Sequence, residues 1–179
     1  MANLGMSDDR FKLDKVIGSG GYGTVHLADD TLFGGKVAVK LLDPKATADP
    51  DYLRDLMNKE ARLQASISPI HSPHPNIVYI IHVGSFGNKL GIVMEYVDGG
   101  SITDLLLKRK MLPISQVLQI IIQVCEGLTA AHEKNVIHRD IKPNNLLIRR
   151  ADQVVKIADW GVAKNIELAG PVVTGIVSG

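Results

Sequence analysis

The stretch VIHRDIKPNNLLI, Val136 to Ile148, places the strongest condition on how this chain can fold. Apolar residues stand at both ends, and between them lie His138, Arg139, Asp140, Lys142, Asn144 and Asn145. A base, an acid, two cations and two amides are costly to bury together unless they are paired. A solvated loop is the plainer alternative, but such loops rarely lie between runs this apolar. The fold therefore has to hold these side chains at fixed positions against a hydrophobic base, as reaction chemistry requires.

The rest of the chain supplies that base in two styles. FKLDKVI (11–17), TVHLA (24–28) and VAVKLL (37–42) alternate as strands do, and IVYIIHVGSF and KLGIVMEYV read as two more. Between them, DPDYLRDLMNKEARLQASI turns to helical period, with Asp49 as N-cap, Pro50 at the first helical position, and Leu53, Leu56, Met57, Leu63 and Ile67 on one stripe. DGG (98–100) reads as a turn with few constraints on direction. Beyond it the strand signals mostly stop. A short helix is expected over about 101–109 and a long one over 114–135, apolar around more than half its circumference and so buried on most sides. Short β-like pieces follow.

Length and composition fit this outline. The 179 residues suffice for one ordinary domain or two small lobes, and a hydrophobic content of 45 % supports a core. Net charge is +1, and the basic runs 108–110 and 149–150 are too short to argue for nucleic acid, so none is expected as a partner. The single cysteine, Cys125, excludes an intrachain disulfide and suits a reducing, cytoplasmic setting; its apolar helical run makes it a core residue. MANLGMSDDRF lacks the apolar core of a signal peptide, and no run approaches the roughly 18 apolar residues of a membrane span. No membrane segment is expected within these residues.

Gly18, Gly20 and Gly23 form G-x-G-x-x-G, a pattern that means little alone. A dinucleotide fingerprint lies between a strand and a helix. Here the residues after the glycines alternate, so the loop joins two strands of a hairpin, where bare backbone can approach phosphates. For the loop taken alone, a flexible hairpin turn is the other reading. In VAVKLL, Lys40 is the exception on a strand otherwise apolar on both faces. Glu60 falls within the apolar stripe of the following helix. Each alone reads equally as a side chain reaching out at a lobe edge or as a functional one. Together, on consecutive elements, they are expected to pair.

On these residues the chain resembles the eukaryotic-like protein kinase family, from Ile17 to Gly161. IGSGGYGTV looks like its glycine-rich loop, VAVK like the strand bearing the phosphate-binding lysine, and HPNIV (74–78) and VMEYVDGG (93–100) like the strand after helix C and the hinge. HRDIKPNNLL looks like the catalytic loop and VKIADWG like the metal-binding D-F-G segment, all in the family's order. The resemblance implies an α+β, protein-kinase-like two-lobe fold. It has a complete β-rich small lobe with one helix over about 10–94, a hinge at 95–98, and an incomplete helical large lobe over 99–179.

It also implies ATP and Mg²⁺ as cofactors and protein substrates bearing serine or threonine. By that resemblance Asp140 accepts or orients the proton of the attacking hydroxyl, and Lys142 stabilises the transferring group. Asn145 and Asp159 hold Mg²⁺, and Lys40 binds the α- and β-phosphates, aligned by Glu60. Ile17, Gly18, Ser19, Gly20, Gly21, Tyr22, Gly23 and Thr24 cover the nucleotide. Val25 and Ala38 clamp the adenine from above and Leu147 from below. Met94 is the gatekeeper, and the backbone of Glu95 and Val97 meets the adenine edge. The Lys-Pro-x-Asn form of the catalytic loop is most like serine/threonine kinases, and its style like bacterial members. Arg139 resembles that of members switched on by phosphorylation of the activation segment, where Thr174 is the favoured site.

The chain departs from the family pattern at Trp160, which replaces phenylalanine, and at SISPIHSPHPN, a longer loop than usual that is expected to be a surface insertion. The sequence also stops before an A-P-E motif and the later large-lobe helices. The expectation is a catalytic domain seen in part, with little transfer activity by itself. Uncovered apolar surface on helix 114–135 would then favour self-association.

Overall fold

The structure is a computed structural model describing residues 9–20, 23–43, 50–160 and 164–165. The alternating first half forms one antiparallel sheet of β1 (Phe11–Gly20), β2 (Gly23–Asp30), β3 (Lys36–Leu42), β4 (Ile80–Phe86) and β5 (Lys89–Glu95), in the order β1-β2-β3-β5-β4. Alternation along β3 feeds two cores. Val37, Val39 and Leu41 pack with Phe11, Ala28 and Val93 on one side. Leu42 packs with Ile80, Ile92 and the helix residues Met57 and Ala61 on the other.

That helix is α1 (Pro50–Ile67), and it buries Met57, Glu60, Ala61, Gln64 and Ile67 at helical spacing. Gln64 Nε2 donates to Val78 O at 2.6 Å, so the polar member of the stripe is satisfied. Asp49 and the side chains of Leu53 and Leu56 lie outside the described residues. The loop after α1 is closed by its own bonds, with the His74 N–H donating to Ser68 Oγ and the Asn76 N–H to His74 Nδ1, both at 3.1 Å.

The second half carries α2 (Ile102–Arg109), α3 (Ile114–His132), β6 (Val136–Ile137), β7 (Leu146–Ile148), β8 (Val155–Ile157) and β9 (Lys164–Asn165). β6 pairs with β9 and β7 with β8, both antiparallel. The core here gathers Ile67 of α1 with Ile77, Ile102, Val124, Ala131, Leu146, Ile148, Ile157 and Trp160. A β-rich part and a helical part thus meet along the segment 76–79, and the expected two-lobe α+β arrangement is what the chain adopts.

Three expectations are corrected. α3 is not buried on most sides. It packs through Val124, Gly127 and Ala131, while Ile114, Leu118, Ile121 and Ile122 are each more than half exposed. Its apolar circumference exceeds the one face that β6 and β8 cover. Cys125 lies toward that open side and is exposed rather than part of the core. The turn at 98–100 is tightly constrained: the Gly99 N–H donates to Ile148 O and the Ile148 N–H to Gly100 O, both at 2.8 Å. A Cβ on Gly99 would lie 2.2 Å from Ile148 O, so only glycine fits there.

By length and mean hydropathy (1.3) α3 could cross a membrane. Its contacts with β6 and β8 are those of a helix packed in a lobe.

Candidate active site

The glycine hairpin is the meeting of β1 and β2. Ile17, Gly18, Ser19 and Gly20 end β1, and Gly23, Thr24 and Val25 begin β2, with Gly20 opposite Gly23. Gly21 and Tyr22 lie outside the described residues. Gly23 has φ +148°, and a Cβ there would strike Leu41 O at 1.9 Å, so glycine lets β2 close on β3. Gly20 faces open space within 4 Å of its missing Cβ. A backbone without side chains at such a rim leaves room for a bulky anion.

Register then places the polar groups. Val25 lies opposite Lys40, and Ala38 opposite Met94. Lys40 Nζ reaches Glu60 Oε1 at 2.7 Å and Asp159 Oδ1 at 3.0 Å. Burial disfavours the ammonium, but the two carboxylates outweigh it and hold the Lys40 pKa above the ordinary lysine value. The pairing expected of Lys40 and Glu60 is thus present, and Asp159 joins them from the other half of the molecule. Val97 is buried, and Leu147 is half-buried on β7.

The cluster at 138–145 resolves into pairs. Lys142 Nζ donates to Asp140 Oδ2 at 2.6 Å, and Asn145 Nδ2 donates to Asp140 O at 2.8 Å and to Oδ2 at 3.1 Å. The hydrogen bond from Lys142 holds the Asp140 carboxyl below the usual range, so it is ionised at neutral pH. His138 is buried; its Nε2 donates to Ala158 O at 3.0 Å and its Nδ1 accepts the Asp140 N–H at 3.2 Å. These two bonds require the neutral Nε2–H tautomer, because a carbonyl only accepts and an amide N–H only donates. Arg139 (φ +67°) and Asp159 (φ +62°) both adopt the left-handed region, uncommon for non-glycine residues and often found at functional sites. Arg139 is exposed; Thr174 lies outside the described residues.

Trp160 is fully buried. Its ring meets His138 edge-on, with centroids 4.5 Å apart, and its Nε1 donates to Ile157 O at 3.3 Å. The replacement of phenylalanine is accommodated in the core. Two oxygen-bearing residues suit a hard cation. Asn145 spends its amide nitrogen on Asp140, leaving Oδ1 as donor, and the Asp159 carboxylate is half exposed. Among the described residues no group of three His, Cys, Asp or Glu side chains gathers as a metal site.

Sequence reasoning missed Lys156 and Glu95 as a pair: Nζ and Oε1 are 2.8 Å apart, with side chains only 3 % and 12 % exposed. The signal was present in VVKIA, a lysine inside an apolar strand, the same kind of anomaly that exposed Lys40.

Comparison with known proteins gives the family. The protein kinase domain family matches residues 11–178. The serine/threonine-protein kinase PknB of Mycobacterium leprae (strain TN) is 37 % identical over 163 residues, covering 88 % of this chain and 25 % of the relative. PknB of Mycobacterium tuberculosis (strain H37Rv) is 36 % identical over 171 residues, 93 % of this chain and 26 % of the relative. The serine/threonine-protein kinase pkn2 of Myxococcus xanthus is 35 % identical over 162 residues, 89 % of this chain and 19 % of the relative. The chain therefore spans about a quarter or less of the length of these relatives. With the match running over nearly every residue that builds the site, the chain belongs to the protein kinase family and is similar to its bacterial serine/threonine members.

Proposed function

We propose that this chain binds Mg²⁺–ATP between a small lobe (about 10–94) and the large-lobe residues from 99 onward, across a hinge at 95–98. In this reading it serves phosphoryl transfer to serine or threonine hydroxyls of protein substrates. The observation that carries the reading is the double engagement of Lys40 by Glu60 and Asp159. One cation ties the sheet to the helix and to the segment that would hold the metal. Mg²⁺–ATP, when bound, would supply the phosphoryl group, and the ion would neutralise phosphate charge.

The chain's own residues position the reactants. Lys40 would hold the α- and β-phosphates, Ala38, Val25 and Leu147 would enclose the adenine, and Met94 would close the back of its pocket. Asn145 and Asp159 offer oxygens to the ion. Asp140, ionised and held by Asn145, would orient the substrate hydroxyl and accept its proton as the γ-phosphoryl group passes to that oxygen and ADP leaves. Lys142, already beside Asp140, stabilises charge on the group in transit. A nucleotide-binding regulatory or scaffold segment without transfer activity is the second reading. It shares Lys40 but has no use for the Asp140–Lys142 pair, which favours the first. A cytosolic location, where ATP is abundant and the exposed Cys125 stays reduced, goes with this function.

Arg139, exposed beside Asp140, suits a phosphorylated Thr174 as its partner. One assay of the full-length protein tests both roles. Asp140→Asn is expected to lower transfer about 10²–10⁴-fold with nucleotide binding nearly intact, and Thr174→Ala to lower the activated rate. Retention of more than about half the rate by Asp140→Asn would remove its assigned role. Full activity of Thr174→Ala would remove the phosphosite.

A further inference from the structure

Among the described residues two ion pairs join the halves of this molecule, and they differ in burial. At the open side of the cleft Lys40 meets Asp159, whose side chain is 50 % exposed. At the back Lys156 meets Glu95, at 3 % and 12 %. A lysine so buried in the middle of a strand, between the buried Val155 and Ile157, is rare unless its charge is matched. Glu95 matches it at the end of β5, where the chain leaves the sheet.

The surroundings leave this pair little freedom. Glu95 Oε1 also accepts the Tyr79 N–H at 3.2 Å, and the Glu95 N–H donates to Tyr79 O at 3.2 Å. The Tyr79 ring lies 5.8 Å from Lys156 Nζ. One residue earlier the Val78 N–H donates to Ile157 O, while the Ile157 N–H donates to Asn76 O and Asn76 Nδ2 to Val155 O. Segment 76–79 is thus bonded to β8 on one side and to Glu95 on the other. A circuit closes around the cleft: Lys40 to Asp159, three residues back along the chain to Lys156, across to Glu95, and through the β5–β3 pairing to Lys40 again.

We infer that Lys156 and Glu95 are a positioning pair, a pin that fixes the hinge strand at one distance from the Asp159 segment, so that opening and closing occur at the exposed Lys40–Asp159 side. The reason is dielectric as well as geometric. The difference lies in Asp159, which is half exposed and can exchange Lys40 for water or another partner while Lys40 keeps Glu60, whereas both members of the Lys156–Glu95 pair are buried and can separate only by leaving a charge without solvent. The nucleotide consequences of this pin rest on the function proposed above; the mechanical role does not.

The test replaces the pair by apolar residues of similar volume, Lys156→Met with Glu95→Leu, an exchange that buried ion pairs often tolerate without loss of stability. The Glu95 N–H keeps Tyr79 O, but Glu95→Leu removes the acceptor of the Tyr79 N–H, so the amide of Tyr79 is left out of the exchange readout. Amide hydrogen exchange is followed without nucleotide, alongside thermal unfolding and Mg²⁺–ATP calorimetry. The pin predicts an unfolding midpoint near that of the parent. Exchange should be about tenfold or more faster at 77–80, 94–98 and 157–159, with the rest of β1–β3 unchanged. Where the parent binds Mg²⁺–ATP, affinity should fall in the double variant. Glu95→Gln, which keeps shape and acceptor but not charge, supplies the same readout should the double variant fail to fold. Parent-like exchange in those segments, in either variant, would overturn the inference. Failure of the parent to bind nucleotide would instead strike the proposed function and leave the exchange result standing.

Discussion

The buried His138 ring has both nitrogens committed, one to Ala158 O and one to the Asp140 N–H. Burial pushes its pKa below the ordinary histidine value, with the Ala158 carbonyl and nearby carboxylates opposing. The unfolded chain, with a histidine pKa near 6.5, then binds the proton more readily than the folded one. Stability from this group is therefore fully present above about pH 6.5 and is lost as pH falls toward the depressed folded value, by at most about 1.4 kcal/mol per pH unit. Unfolding midpoints measured from pH 7.5 to 5 should fall more steeply in the parent than in His138→Gln; identical slopes would contradict the assignment. The same residues show what sequence could reveal at this scale. Lys40 and Glu60 were legible because each breaks an apolar pattern. Lys156 breaks one too, but its partner is 61 positions away and carries no mark of burial in EYVDG. Cys125 falls outside the core because composition alone does not say which side of a helix apolar around more than half its circumference will be covered.

Elements were legible where local chemistry settles them. Ser101 caps α2 in a reciprocal box: its Oγ accepts the Asp104 N–H at 3.1 Å, and Asp104 Oδ2 accepts the Ser101 N–H at 2.8 Å. Ser101→Ala should cost about 0.5–2 kcal/mol, measured by denaturant unfolding. A loss below that range would mean that tertiary contacts, not the cap, hold the start of α2. The strands followed from alternation, and α3 began where expected and ended three residues early, at His132, where the Asn135 N–H closes a turn on His132 O and Asn135 takes φ +57°. The turn at 98–100 was read as loose because its constraint comes from β7, about fifty residues on. Periodicity carries no information on such distant contacts.

At the scale of the whole molecule, sheet and helices were legible as two periods in sequence, but their junction was not. It depends on Asn76 and Gln123 meeting β8 and on Lys156 of β8 meeting Glu95, a set of single polar contacts. The open face of α3 has a consequence here. Ile114, Leu118, Ile121 and Ile122 lie in water, each worth about 1.5–3 kcal/mol on burial, and we propose that the 179-residue chain associates with itself through them. Light scattering should show oligomers whose mass falls in a Leu118→Lys, Ile122→Lys variant; a parent that stays monomeric at every concentration would refute this. The central claim concerns the cleft, and the most direct measurement of it is calorimetry of Mg²⁺–ATP with the parent and with Lys40→Met. Lys40 links Glu60, Asp159 and the glycine strands, so the parent should bind Mg²⁺–ATP and the variant should lose about tenfold or more of that affinity, as removal of a charged hydrogen bond implies. Equal affinity in the two proteins would contradict the account.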